Sequence, residues 1–354
     1  RAWLRLNACA DPLPDERAAR RLGVSEAELV DCRCGHSKVT RLRVEWQALL
    51  PALETLGPVL AVTENIAVRQ EGRISYRGIR RTGTRATMHQ AALALQMDLH
   101  AVASVFAVTE IHHARVRESL RFYDGRGTRL HRIDYTQASN DGAWRSMIRR
   151  LCHPDQRPGL LSTMAARGFG DARTAPPADP RHGPGQRPLE APPSTWRRYP
   201  AGAGPRTPEQ AWSVDREALD WLIRASHEHD LRVAVRVCQG GWSQSHTGRL
   251  APPRDPAGPI RLRDRHVRLQ LQDTDGATMR IAQRGTHCGV THTLEILDQR
   301  GRLAAELFAD HPDSDAEPAG WTRLAQSLRS SARPTGVSAA LATPIDPVIR
   351  QEPG

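Results

Sequence analysis

Ser119-Leu-Arg-Phe-Tyr-Asp-Gly-Arg-Gly-Thr-Arg-Leu130 returns near the other end of the chain as Thr293-Leu-Glu-Ile-Leu-Asp-Gln-Arg-Gly-Arg-Leu303. Leu120, Asp124, Arg126 and Gly127 match Leu294, Asp298, Arg300 and Gly301 at one constant offset. Past a one-residue slip, Leu130 pairs with Leu303 and Tyr135 with Phe308. Trp144, Met147 and Leu151 then match Trp321, Leu324 and Leu328 at equal internal spacing.

Each copy has the same physical logic. An alternating strand ends in Asp-x-Arg-Gly, a turn in which Asp bonds the backbone and Gly takes a positive φ. A second alternating strand, a polar loop and a short helix follow. The helix opens on Trp, with apolar residues at i+3 and i+7 on one face. A hairpin with a capping helix, repeated at this distance, predicts a duplicated module of roughly 150 residues. The expected fold class is α+β: two tandem repeats, each a large antiparallel sheet flanked by helices.

A chain of 354 residues is long enough for two cores. Hydrophobic content of 39% against 25% charged residues fits a globular protein, and 26 Pro with 27 Gly predict long irregular stretches. The net charge of +11 favours anions: nucleic acid, acidic lipid or a ligand carrying carboxylates. Lys38 is the only lysine, however, so the basic residues are nearly all Arg. That bias reads as compositional background rather than a dedicated polyanion face, and no specific nucleic-acid partner is expected.

The six cysteines, Cys9, Cys32, Cys34, Cys152, Cys238 and Cys288, form no CxxC pair and no disulfide framework. Cys32-x-Cys34-x-His36 has no second ligand pair at zinc-site spacing. Reduced thiols and a cytoplasmic location are therefore expected. No apolar run is long enough to span a membrane. The sequence opens on Arg1 rather than Met, which leaves the native start open.

In chain order, the first repeat is placed at 15–151, a Pro/Gly/Arg-rich and disordered linker at 152–212, the second repeat at 213–328 and a flexible tail at 329–354. Leu22-Gly-Val-Ser-Glu-Ala-Glu-Leu-Val30 predicts a helix ending at Gly23, then a second helix capped by Ser25. Trp46 to Leu56 is an amphipathic helix and Val59–Thr63 a buried strand. Arg73–Arg77 is a short strand, Met97–Val108 a further strand region and Ile111–Arg115 a polar turn. In the second repeat a helix spans Asp215 to His229, with strands at Leu231–Val237, Arg261–Asp264, Val267–Leu271 and Thr278–Ile281. Trp242–Gly248 leads into a Pro-rich loop.

These residues resemble the cytoplasmic heme-utilisation proteins of the HemS/ChuS/HmuS type, the hemin-degrading factors. "LGVSEAELV" followed by "LLPALETLGPVLAVTEN" is similar to that family's opening, with Thr63-Glu64-Asn65 at its Thr-Arg-Asn turn. Gln244-Ser-His-Thr-Gly248 resembles the family's Gln-Ile-His-Thr-Gly, and Val290 to Phe308 its closing hairpin. The resemblance covers roughly 15–151 and 213–328, and implies two tandem repeats and a bound heme.

The family's heme site is where this sequence departs. Its members hold the iron through a His in an Asp-Thr-His helix, which is absent here; His227 is the nearest substitute. The distal Arg of the family falls on His100, in Asp98-Leu99-His100. Its Lys-Pro-Thr basic group falls on Arg284. Heme needs an axial ligand, basic groups for two propionates and an apolar slot. His100 and His227 are the candidate iron ligands. His246, which precedes a Thr-Gly turn, completes the heme-binding candidates with Arg284, and Arg263 or Arg268 is a further propionate partner. His112 and His113 read as solvated.

The resemblance implies cytosolic heme binding for uptake, trafficking or degradation. The partners it implies are heme and an inner-membrane heme importer or a heme oxygenase. An oxygenase-like activity would draw electrons from an external reductant, since no flavin or nicotinamide motif is present. The alternative is a degenerate member that has lost heme and acts as an interaction or regulatory protein. The repeated hairpin itself consists of turn and packing residues and reads as scaffold.

Overall fold

The computed structural model describes residues 14–35, 38–90, 92–112, 115–159, 161, 210–252, 260–262, 267–271, 277–286, 289–310 and 316–329. It is an α+β structure built on large antiparallel sheets. Helices α1 (Asp15–Leu22) and α2 (Glu26–Asp31) open the chain. Gly23 ends α1 in the left-handed conformation, and Ser25 and Glu28 form a reciprocal capping box on α2.

The first repeat continues with β1 (Val39–Leu42), α3 (Trp46–Glu54), β2 (Pro58–Glu64), β3 (Val68–Ser75), β4 (Arg80–Thr82), β5 (Arg85–Gln90) and β6 (Leu93–Asp98). A 3-10 turn (Leu99–Ala101), β7 (Ser104–His112), β8 (Arg115–Tyr123), β9 (Arg129–Asp134) and α4 (Asp141–Leu151) complete it. The second repeat matches it nearly element for element. It runs β10 (Gln210–Val214), α5 (Arg216–Glu228), β11 (Val233–Gln239), β12 (Trp242–Gly248), β13 (Leu250–Ala251), β14 (Ile260–Leu262) and β15 (Val267–Leu271). β16 (Thr278–Thr286), β17 (Gly289–Leu297), β18 (Leu303–Ala309) and α6 (Ala319–Ser327) follow.

The duplication is exact enough to reproduce an irregularity. The β8–β9 register shifts between Phe122 and Tyr123, and the β17–β18 register shifts between the matching Ile296 and Leu297. Both turns are tied alike. The Asp124 carboxylate accepts the N–H groups of Arg126 and Thr128, and that of Asp298 those of Arg300 and Arg302. Gly127 and Gly301 sit at φ 75° and 71°.

Two compact units result. One holds Arg1–Ala191 with Arg236–His246 and His266–Asp273. In it β1-β7-β8-β9-β2-β3-β15 run side by side, and β12 pairs with β6, which pairs with β5 and then β4. Two strands from the second half of the sequence are thus built into this unit: β15 lies on β3 with Val267 opposite Gly72, and β12 lies on β6 with Trp242 opposite Met97. The other unit holds Pro192–Val235, Thr247–Arg265 and Thr274–Gly354. It carries β10-β16-β17-β18, the β13–β14 hairpin, and α5 and α6.

The structure departs from the sequence-based expectation at identifiable places. The region 97–108 is not one strand: β6 stops at Asp98, whose carboxylate caps the 3-10 turn by accepting the His100 N–H at 3.0 Å. Trp242–Gly248, read only as the lead into a Pro-rich loop, is itself strand β12. All seven of its residues are buried although six are polar or Gly, because the strand is covered on both faces. Residues 152–159 and 161 are tied down. The buried Asp31 carboxylate accepts the Leu161 N–H at 2.8 Å, and Arg41 donates to the carbonyls of Asp155 and Arg157. Residues 162–209 of the expected linker and 330–354 of the expected tail lie outside the described residues, as do Cys9, Cys288, His36, His113 and Arg263.

Candidate functional site

Among the described residues of the first unit, His100, His89, His246 and His131 differ sharply in their surroundings. His100 stands exposed on the 3-10 turn, and that turn is clamped by two indoles. Trp46 Nε1–H donates to the Leu99 carbonyl at 3.2 Å and Trp242 Nε1–H to the Asp98 carbonyl at 3.0 Å. Gly241 makes this approach feasible: a Cβ there would lie 3.2 Å from that of Asp98. His100 is therefore an accessible imidazole on a rigid mount, as a metal-binding side chain requires. His89, on β5, is partly buried, and burial followed by the Arg80 charge lowers its pKa.

His246, on β12, is 2% exposed. It shares a strand face with Trp242 and Gln244, which point into the core of the unit. A side chain so enclosed does not present a ring nitrogen to a large planar ligand.

His131, which sequence reasoning did not single out, is the centre of a buried polar chain. It stands opposite Phe122 across the β8–β9 pair and 5.2 Å from the Trp242 ring. Its Nε2 is 2.6 Å from the Tyr76 hydroxyl, its Nδ1 is 2.9 Å from Thr63 Oγ1, and the Thr63 hydroxyl donates to Gln244 Oε1 at 3.0 Å. Burial, helped by the Arg132 charge, lowers its pKa to about 3, so the ring is neutral near pH 7. Both ring nitrogens are used, which makes it structural rather than a ligand. Nothing in the alternation of Leu130-His-Arg-Ile133 marks it from the sequence.

In the second unit, His227 lies half-buried in the last turn of α5, with Nδ1 2.9 Å from the Leu250 carbonyl oxygen of β13. A carbonyl can only accept, so Nδ1 carries the proton and Nε2 keeps its lone pair. That is how ligating histidines are oriented. Arg284 is already engaged: its guanidinium pairs with the buried Glu295 carboxylate, which Arg280 also meets at 2.7 Å. A propionate would have to compete with that pairing. Arg268 is exposed on β15, opposite Glu71 of β3.

The structure thus places two of the four heme candidates, His100 and His246, in one unit and the other two, His227 and Arg284, in the other. His292 was also missed. It is buried on β17, with Nδ1 2.7 Å from Glu317, whose carboxylate also accepts the His292 N–H at 2.6 Å and the Thr322 hydroxyl at 2.8 Å. Trp321 Nε1–H, at the start of α6, donates to the His292 carbonyl at 2.9 Å. This dyad clamps the repeated Trp helix onto its sheet.

Cysteine chemistry contributes little. Cys34 is buried, and desolvation raises its thiol to about 11. Among the described residues no group of three or more His, Cys, Asp or Glu can hold a metal ion. None of their helices is long and apolar enough to cross a membrane.

Residues 23–151, from the end of α1 through α4, match the model of the Haemin-degrading HemS.ChuX domain. The same element order recurs in the second half, and the likeness to hemin proteins runs through both. Residues 23–151 thus form a HemS.ChuX-type domain, and the chain as a whole is similar to the hemin proteins that carry it. It is 26% identical over 322 residues to the hemin transport protein HmuS of Yersinia pestis, covering 85% of this chain and 88% of that protein. Among solved structures it is similar to holo-PhuS, a heme-binding protein from Pseudomonas aeruginosa, with a TM-score of 0.71 and 27% identity, covering 93% of this chain and 97% of that one. The Escherichia coli O157:H7 heme degrading enzyme ChuS shares the fold at a TM-score of 0.71 and 20% identity, covering 92% and 97% of the two chains. Of the four candidates, His100 is exposed and His227 half-buried, His246 is enclosed, and Arg284 is paired with Glu295.

Proposed function

We propose that this protein binds heme and handles it in the cytoplasm, in uptake, trafficking or degradation. The observation that carries the reading is the likeness to a heme-binding structure along 93% of the chain. The residues add local support. His227 offers an imidazole Nε2 whose tautomer is set by the Leu250 carbonyl, and His100 offers an exposed imidazole on a clamped turn. Either can serve as axial ligand without breaking a hydrogen bond of the core. Arg268 is exposed to meet a carboxylate, whereas Arg284, in the other unit, could take one only by exchanging Glu295 for it.

Bound heme would supply the redox and oxygen chemistry that the side chains lack. The protein's own part is to ligate, orient and shield. Degradation would need an external reductant, and carriage would need a heme importer or heme oxygenase as partner.

Titration of the full chain with hemin tests this. A saturable Soret shift that weakens in His227→Ala or His100→Ala supports the reading. A featureless additive spectrum overturns it and leaves the interaction or regulatory role, which the paired Arg284 and buried His246 would then favour. If hemin binds, adding a reductant under air and following Soret loss to an open-chain product separates a degrading enzyme from a carrier.

A further inference from the structure

Among the described residues of the first unit, Gln70 Oε1, Gln70 Nε2 and Gln244 Nε2 are buried polar atoms without a hydrogen-bond partner. Both glutamines are 0% exposed. Leaving buried amide groups unpaired is costly, and native interiors rarely do so.

The three atoms converge on one place. Gln70 of β3 is directly opposite Thr63 of β2, so the two side chains stand on the same sheet face. Thr63 donates to Gln244 Oε1 at 3.0 Å. Gly72, two residues beyond Gln70 and therefore on that same face, has its Cβ position 3.5 Å from Gln244 Nε2. The Gln244 amide of β12 accordingly lies over the β2–β3 surface, between Thr63 and Gly72, where Gln70 also projects.

The lining limits what can occupy the space. Thr63, Gln70 and Gln244 carry no charge, so an ion has no counter-charge among them. The Leu93 Cδ1 and Val267 Cγ2 atoms lie 2.8 and 3.3 Å from the Gly72 Cβ position, which closes the wall against anything bulky. Gln70 offers a donor and an acceptor, and Gln244 a donor.

We infer that Gln70 and Gln244 form a buried binding site for one small neutral donor–acceptor molecule, a water, which ties β12 to β3. Water meets the requirement of two to four polar partners, and buried waters commonly make about three hydrogen bonds. The site extends the Tyr76–His131–Thr63–Gln244 chain by one link and fastens a strand from the second half of the sequence onto the sheet of the first. It is independent of heme.

The test uses the side-chain amide signals of Gln70 and Gln244 in isotope-labelled full-length protein. Water cross-relaxation peaks of a long-lived bound water are expected at both Nε2 groups, and Gln70→Leu should abolish the one at Gln244. No water peak at either amide, or a Gln244 peak unchanged in Gln70→Leu, overturns the site. Should Gln70→Leu fail to fold, a crystal structure of the unaltered chain decides. Density within hydrogen-bond distance of both amides is expected, and a direct Gln70–Gln244 amide bond overturns the inference.

Discussion

The Nδ1 atom of His227 stands 2.9 Å from the carbonyl oxygen of Leu250, so the proton of this imidazole is on Nδ1 and its lone pair is on Nε2. The prediction is specific to that tautomer. His227→Ala should weaken hemin binding by about tenfold or more, since even partners of a ligating residue commonly cost 10–100-fold when removed. Soret titrations of His227→Ala and His100→Ala, run in parallel, check this. A loss confined to His100→Ala would move the ligand to the exposed turn held by Trp46 and Trp242.

The matched glycines should not be equivalent. Both Gly127 and Gly301 hold a left-handed φ, so Ala costs roughly 1–2 kcal/mol at either. At Gly301 an added Cβ meets nothing within 4 Å. At Gly127 it would lie 2.2 Å from the Ser25 hydroxyl oxygen, the N-cap of α2. Gly127→Ala should therefore be the more destabilising of the two by about 1–2 kcal/mol, the usual worth of a cap. Urea unfolding of the two variants measures the difference, and equal losses would contradict it.

These turns also show how far the sequence could be read. Asp124, Gly127, Asp298 and Gly301 betray the duplication because turn chemistry is local and leaves a fixed spacing. The capping box at Ser25 and the α5 helix were legible for the same reason. The exchange of β12 and β15 into the first unit was not, since strand partnership is a long-range choice that alternation does not encode. Trp242-Ser-Gln-Ser-His-Thr-Gly248 did not read as a strand because its polar side chains find their partners in tertiary contacts such as those with Thr63 and Gln96. The candidate site was legible by residue type alone. Which histidines are accessible, as His100 is, and which are enclosed, as His246 is, depends on which strand face meets the core.

The enclosed His131 gives stability a pH dependence. Burial first, and the Arg132 charge second, depress its pKa from 6.5 to about 3. Between these values the unfolded chain binds more protons at this residue than the folded one. Its contribution is therefore fully present above pH 6.5 and is lost progressively as pH falls toward 3. Asp15 adds a lower window. Burial alone would raise its pKa, but Arg121 and Arg33 outweigh that and hold it at about 2, so its contribution disappears below its ordinary 3.8. His131→Gln should be less stable than the unaltered chain at pH 7, and the gap should narrow between pH 6.5 and 4. Urea midpoints across that range test it, and a constant gap would mean that His131 does not stay neutral in the fold.

The last prediction concerns Asp31, the buried carboxylate under the segment that follows α4. Its Oδ1 accepts from Arg41 Nε at 3.1 Å and its Oδ2 from the Leu161 N–H at 2.8 Å, while Arg41 also donates to the Asp155 and Arg157 carbonyls. Removing one member of a buried pair leaves the other charge uncompensated, so Asp31→Ala should cost about 3–5 kcal/mol. Replacing both partners by apolar residues of similar size, Asp31→Leu with Arg41→Met, should cost less than the sum of the two single changes, because no charge is then stranded. Hydrogen exchange supplies the local readout. The Leu161 amide loses its acceptor in Asp31→Ala, and its exchange should quicken relative to that of the Arg43 amide, which bonds the Leu151 carbonyl at 2.7 Å. Equal acceleration at both amides would indicate general loosening of the unit rather than release of the segment by Asp31.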